Sequence, residues 1–149
     1  MYNKILVPFD NSSQSLSAAQ HALKLAMVRR ATVTLFHVVQ DLLNDPEERA
    51  KVRIGIDRDT IVNELRIKAQ TMLDQLKERL AGDDDIKIDT AVAVGNPSRE
   101  ILKKAKIESY DVIIIGSRGL GKIPSILMGS VSNKVCSSAT CPVIVIHIE

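Results

Sequence analysis

Apolar residues follow two rhythms along this chain. The run Ile5-Leu6-Val7-Pro8-Phe9 is apolar on both faces, ends at Asp10 and predicts a buried strand. Asn11, Ser12 and Ser13 then offer N-caps to a helix whose apolar positions Leu16, Ala19, Leu23, Ala26 and Met27 recur at helical spacing, with Arg29 and Arg30 at its negative end. Thr32 to Val39 is rich in β-branched residues and predicts a second strand. Residues 41–57 break the rhythm with Asp41, Asn44, Pro46 and Gly55, and predict a long connection holding about one turn of helix. Ile61, Leu65, Ala69, Met72, Leu76 and Leu80 form the next helical stripe, with Gly82 expected as its C-cap.

The alternation of Ile86, Ile88, Val92 and Val94 with Lys87, Asp89 and Ala91 predicts a strand with one wet face. Asn96 and Pro97 open a helix that reaches Ile107. Val112 to Ile115 is again apolar on both faces and stops at Gly116. A final helix over Ser130–Ser137 leads to a last strand over Val143–Ile148. Strands and helices thus alternate from end to end, which calls for a parallel sheet covered by helices on both faces. Strands apolar on both sides belong in its centre and the alternating strand at an edge. The order 3-2-1-4-5 satisfies both demands. The expectation is therefore one doubly wound, Rossmann-like α/β domain over residues 1–149, with a ligand crevice where strands one and four diverge and Asp10 faces Gly116.

Composition narrows the choice of ligand. A net charge of +2, with basic and acidic residues interleaved as in Asp74, Lys77, Glu78 and Arg79, gives no basic stripe for nucleic acid. Two Tyr, two Phe and no Trp leave few platforms for stacking bases. No run approaches the ~18 apolar residues of a membrane helix. The opening Met1-Tyr2-Asn3-Lys4 lacks a secretory cleavage pattern, so a cytoplasmic protein is expected. Cys136 and Cys141 have neither a common metal or redox spacing nor a nearby His, and read as two reduced thiols.

The informative stretch is Gly116-Ser117-Arg118-Gly119-Leu120-Gly121-Lys122, followed by Gly129-Ser130-Val131. Glycines after a central strand let a phosphate approach the main-chain amides, and the free amides of a helix opening at Gly129-Ser130 favour the same anion. Each glycine alone reads better as an ordinary turn or cap. Together they lie at the expected crevice in a segment, residues 112–148, without Asp or Glu. Gly116-x4-Gly121-Lys122 imitates a Walker loop, but Ile123 stands where Ser or Thr must bind magnesium and Pro124 follows at once, so that reading is rejected.

The spacing Gly116-x2-Gly119-x9-Gly129-Ser130 resembles the ATP-binding branch of the universal stress protein family. So do Lys4 to Asp10, Phe36-His37-Val38-Val39, Gly95-Asn96-Pro97 and Pro142 to Ile146. The resemblance implies that Gly116, Ser117, Arg118, Gly119, Gly129 and Ser130 contact phosphates and ribose. It implies Asp10 near the ribose or a bound Mg2+, and Pro8, Val38 and Val131 around the adenine of ATP or another adenine nucleotide. It also implies a homodimer paired through the last strand, in a regulator that binds nucleotide with little or no turnover. The residues themselves leave alternatives open. Asp10 suits a helix cap, Val38 and Val131 suit a plain core, His37 reads as structural and His21 as surface, and Arg118 and Lys122 suit a positive rim. A slow ATPase or nucleotidyl-transferring enzyme on the same architecture is the rival function, and an interaction module with a protein partner the third.

Overall fold

The computed structural model describes residues 2–40, 46–82, 85–118 and 128–148. Five strands, β1 (Lys4–Pro8), β2 (Thr32–Val39), β3 (Ile88–Val94), β4 (Val112–Gly116) and β5 (Val143–Ile146), form one parallel sheet in the order β3-β2-β1-β4-β5. The helices α1 (Ser13–Arg29), α2 (Pro46–Arg53), α3 (Arg58–Leu80), α4 (Pro97–Ile107) and α5 (Ser130–Ser138) lie between them in the chain. The expected strand order is therefore the observed one. Its cause is visible in burial: β4 is buried at every position and β1 at every position after Lys4, whereas β3 is only half-buried beyond Ile88.

Two apolar clusters sandwich the sheet. Ile5, Val7, Val33, Leu35 and Ile114 face α1 and α3, while Leu6, Phe36, Ile113 and Ile115 face the side of Ile101 and Ala105 of α4 and Val135 of α5. Successive strand residues point to opposite faces, so each two-sided strand serves both clusters. Each fully buried Ile, Leu or Val contributes about 1.5–3 kcal/mol.

Helix α1 meets the sheet through small residues. Ala18, Ala19, Ala22 and Ala26 are buried, whereas Leu16 and Leu23 are half-buried and Met27 is 53% exposed. The expected stripe was thus displaced towards the alanines. In α3 the buried positions are Ile61, Ala69, Leu73 and Leu76, so Leu73 joins the expected set. Ser12 caps α1 by accepting the Ser15 amide, and Arg30 closes it in the left-handed conformation. Asn96 caps α4 by accepting the Arg99 amide, with Pro97 in the first turn as expected.

Other boundaries differ from the reading of the sequence. The connection after β2 contains two turns of helix in α2 rather than one, because Pro46 begins a run of helix-forming Glu, Arg, Ala and Lys; residues 41–45 lie outside the described residues. Gly82 does not cap α3, since the chain leaves the helix in extended conformation at Ala81. β3 starts at Ile88, with Ile86 packing below it on the first cluster. β5 ends at Ile146, two residues short of Ile148. Among the described residues, no helix is long and apolar enough to cross a membrane.

Candidate functional site

The sheet order makes β1 and β4 neighbours, paired at Leu6–Ile113, while their chains continue to opposite sides, β1 towards β2 and β4 towards β5. This is the divergence point at which a parallel sheet opens a crevice at its carboxyl end. From β1 the chain passes through Pro8, Phe9 and Asp10 to Asn11, whose positive φ of 68° turns it into α1. Asn tolerates that conformation better than most residues. Asp10 is half-buried, and its Oδ1 accepts the Ser12 amide at 3.0 Å. Asp10 thus braces the turn in front of the cap, and Ser12 is the cap itself.

His37 of β2 holds the other flank of this turn. Its Nδ1 lies 2.8 Å from the Phe9 carbonyl oxygen. A carbonyl only accepts, so the contact sets the proton on Nδ1. The structural reading of His37 is the one the geometry supports.

From β4 the chain passes through Gly116 and Ser117 to Arg118, which is half-buried. The Gly116 backbone carries no positive φ. Its lack of a side chain instead serves packing, because a Cβ there would lie 2.8 Å from both the carbonyl carbon and the Cβ of Gln14. Gln14 in the first turn of α1 is itself 2% exposed, and its Oε1 has no hydrogen-bond partner among the described residues. The reading of the sequence missed Gln14, which looks like an ordinary polar residue of a helix start.

Ser117 is 2% exposed and both its peptide groups are engaged. Its amide donates to the Ile146 carbonyl at 2.8 Å. Its carbonyl accepts the Gly129 amide at 2.7 Å and the Ser132 hydroxyl at 2.5 Å. The start of α5 is thereby fastened to the end of β4, next to β1. Gly129 is the N-cap of α5 without a side-chain cap bond, at φ −73° and ψ 168°, which any residue can adopt. Its amide is spent on Ser117, so the amides that the helix start can offer an anion are those of Ser130, Val131 and Ser132. Ser130 is exposed at the same end. Val38 is buried in the cluster against which Val131 packs, so these two share one side of the sheet.

Pro8, Asp10, Gly116, Ser117, Arg118, Gly129 and Ser130 thus stand at the carboxyl end of the sheet, with Val38 and Val131 on its α4–α5 side. Gly119, and with it Gly121 to Pro124 of the Walker look-alike, lies outside the described residues. Among the described residues, no three His, Cys, Asp or Glu side chains come together as a metal site.

Residues 1–147 match the model of the universal stress protein family. Universal stress protein YxiE of Bacillus subtilis is 32% identical over 149 residues, covering 99% of this chain and 100% of that protein. The solved structure of MJ0577, a universal stress protein of Methanocaldococcus jannaschii, superposes with a TM-score of 0.85 at 30% identity, covering 100% of this chain and 98% of the other. A universal stress protein from Archaeoglobus fulgidus, solved in complex with dAMP, shares the fold at a TM-score of 0.64 and 20% identity, covering 97% of this chain and 98% of the other. The chain belongs to the universal stress protein family.

Proposed function

We propose that this protein binds an adenine nucleotide, ATP with Mg2+ in the first instance, at the carboxyl ends of β1 and β4, and acts as a homodimeric cytoplasmic switch in the stress response. The observation that carries the reading is the attachment of the α5 start to Ser117. It sets a helix end rich in free amides beside the strand that leads to Asp10. Complex formation with dAMP by the Archaeoglobus fulgidus protein of the same fold supports the choice of an adenine nucleotide.

In this reading Ser130, Val131 and Ser132 offer main-chain amides to the phosphates, Arg118 stands beside them, and Gly119 is taken as a further phosphate contact from its place in the glycine spacing. Gly116, Ser117 and Gly129 build the floor on which those groups stand. Pro8, Val38 and Val131 border the adenine. Asp10 keeps one carboxylate oxygen beyond its bond to the Ser12 amide, so it suits a ribose hydroxyl or a magnesium ion. Magnesium is commonly held by one or two carboxylates together with substrate phosphates, and that set of donors fits a single Asp10. Bound magnesium would neutralise phosphate charge. Residues 112–148 contain no Asp or Glu, so the cradle offers no carboxylate general base apart from Asp10 across the crevice, which favours binding over turnover.

Purification followed by an absorbance spectrum and magnesium-ATP titration tests the proposal. With two Tyr and no Trp, retained nucleotide stands out near 260 nm. Binding of ATP without phosphate release over hours is the expected result. Absence of binding to any adenine nucleotide overturns the reading, and sustained magnesium-dependent phosphate release lost in Asp10→Ala replaces the switch by an enzyme.

A further inference from the structure

We infer that Ser132 is a positioning residue for the nucleotide site, its hydroxyl holding the first turn of α5 against the carbonyl of Ser117 so that the helix amides point at the phosphates. The inference rests on the nucleotide-binding reading above and adds a residue to it.

Ser132 is the third residue of α5 and is 3% exposed. Its Oγ lies 2.5 Å from the Ser117 carbonyl oxygen and 3.1 Å from that of Gly129. A hydroxyl has one proton to give, and the shorter contact takes it. The bond therefore reaches out of the helix, across fifteen positions of sequence, to the strand end. A serine that merely back-bonded within its own turn would leave the helix free to pivot. Here Gly129 and Ser132, one helical turn apart, meet the same oxygen at 2.7 and 2.5 Å. Two bonds to one anchor fix direction as well as distance. The anchor cannot drift, because the Ser117 amide is held in turn by Ile146 of β5.

The consequence falls on the ligand. Among the described residues, the amides of Ser130, Val131 and Ser132 are the open donors of the helix start, and their bearing follows from how the first turn is tied down. Removal of the Ser132 hydroxyl leaves the Ser117 carbonyl still satisfied by the Gly129 amide. The fold thus keeps its buried bond while the helix start loses one of its two fastenings. Phosphate contacts, which need several donors aimed at one place, are sensitive to that loosening. Contacts to the nucleoside, which come from Pro8, Asp10 and Val38 as well as from Val131 of this turn, are less so.

Three forms of the whole protein decide the matter: wild type, Ser132→Ala and Ser132→Thr. Affinities for magnesium-ATP and for adenosine are measured by calorimetric titration and competition. Exchange of the Gly129 amide with deuterium is followed by NMR without nucleotide. Ser132→Ala is expected to bind ATP roughly tenfold more weakly, about the worth of one hydrogen bond. It is expected to weaken adenosine binding by less than it weakens ATP binding, since only Val131 of the nucleoside contacts lies on this turn, and to exchange the Gly129 amide faster. Ser132→Thr, which keeps the hydroxyl, is expected to retain wild-type affinity for ATP. Equal weakening for ATP and adenosine, or wild-type ATP affinity in Ser132→Ala, overturns the inference while leaving nucleotide binding intact. A wild type that binds neither ligand removes the reading and the inference together.

Discussion

Gly116 and Gln14 stand so close that a methyl group on the first would lie 2.8 Å from the carbonyl carbon and the Cβ of the second. Real Cβ atoms do not approach backbone that closely, so the end of β4 and the first turn of α1 could not keep these positions with any other residue at 116. The glycine that closes β4 is therefore a packing glycine. It lets α1 descend onto the sheet at the edge of the crevice, as its alanines do further along.

Gly116→Ala is accordingly expected to destabilise the fold by about 1–3 kcal/mol, the usual cost of forcing a methyl into a filled contact. Urea denaturation followed by circular dichroism measures it. An unchanged midpoint would show that α1 shifts without cost, and the glycine would then have to be explained by the ligand alone.

The two thiols are expected to be sluggish. Desolvation by burial raises the Cys136 thiol above its ordinary value, and it is the main cause of the same upward shift at Cys141. A raised thiol pKa means less thiolate at neutral pH, hence slower attack on an electrophile. Alkylation by iodoacetamide should run below the rate of a free cysteine at pH 7.5 for both residues, although Cys136 is exposed. The rate should climb only as pH passes above the ordinary thiol range. Alkylation of Cys136 faster than of free cysteine at pH 7.5 would contradict the shift.

The sheet was legible because its evidence is compositional and local. β2 has the expected bounds Thr32–Val39, since β-branched residues buried on both faces leave no competing helix. The strand order follows from which runs are apolar on two sides. Helix faces were harder to read. Large residues dominate a hydrophobic stripe, yet α1 packs through Ala18, Ala19, Ala22 and Ala26, and Met27 is left outside. Small residues win there because they let the helix axis come close, a gain that periodicity does not register. At the site, Gly129 and Ser130 were found at a helix start as expected. The tie from Ser132 to Ser117 was missed, because its partner is distant in sequence and is a main-chain carbonyl, which every residue possesses. That the Gly129 amide would be consumed by the same carbonyl was equally invisible.

Gly129→Asp separates helix stability from ligand binding. The backbone at 129 suits any residue, and Gly129 makes no side-chain cap bond. Asp is a better N-cap than Gly by a few tenths of a kcal/mol and its charge suits a helix start. Thermal stability should therefore hold or rise slightly. The same carboxylate occupies the place proposed for phosphate, and magnesium-ATP affinity should fall by about 2–3 kcal/mol. Lys122→Ala, which would disable a Walker-type site, should cost only about 1 kcal/mol, as loss of one rim charge does. Normal binding by folded Gly129→Asp alongside abolished binding in Lys122→Ala would move the phosphates away from α5.

The remaining prediction concerns β5, the edge strand beyond β4. The amides of Ile113 and Ser117 donate to the carbonyls of Pro142 and Ile146. In a parallel ladder, alternate residues direct their main-chain groups to opposite sides, so Pro142, Ile144 and Ile146 face β4 while Val143 and Val145 face outwards. A strand whose outer row of main-chain groups is open among the described residues, and whose Ile144 side chain is 36% exposed, is a template for pairing with a second copy. Val145→Pro removes one outward donor from each protomer and leaves the bonds to β4 in place. A two-fold interface doubles every substitution. Two lost bonds of about 1 kcal/mol each should weaken the dimer roughly thirtyfold. Sedimentation of both forms across a micromolar concentration series reads the change, with circular dichroism confirming an intact fold. A wild type that stays monomeric throughout, or a Val145→Pro dimer as tight as the wild type, would show that the proposed assembly does not pair through this edge.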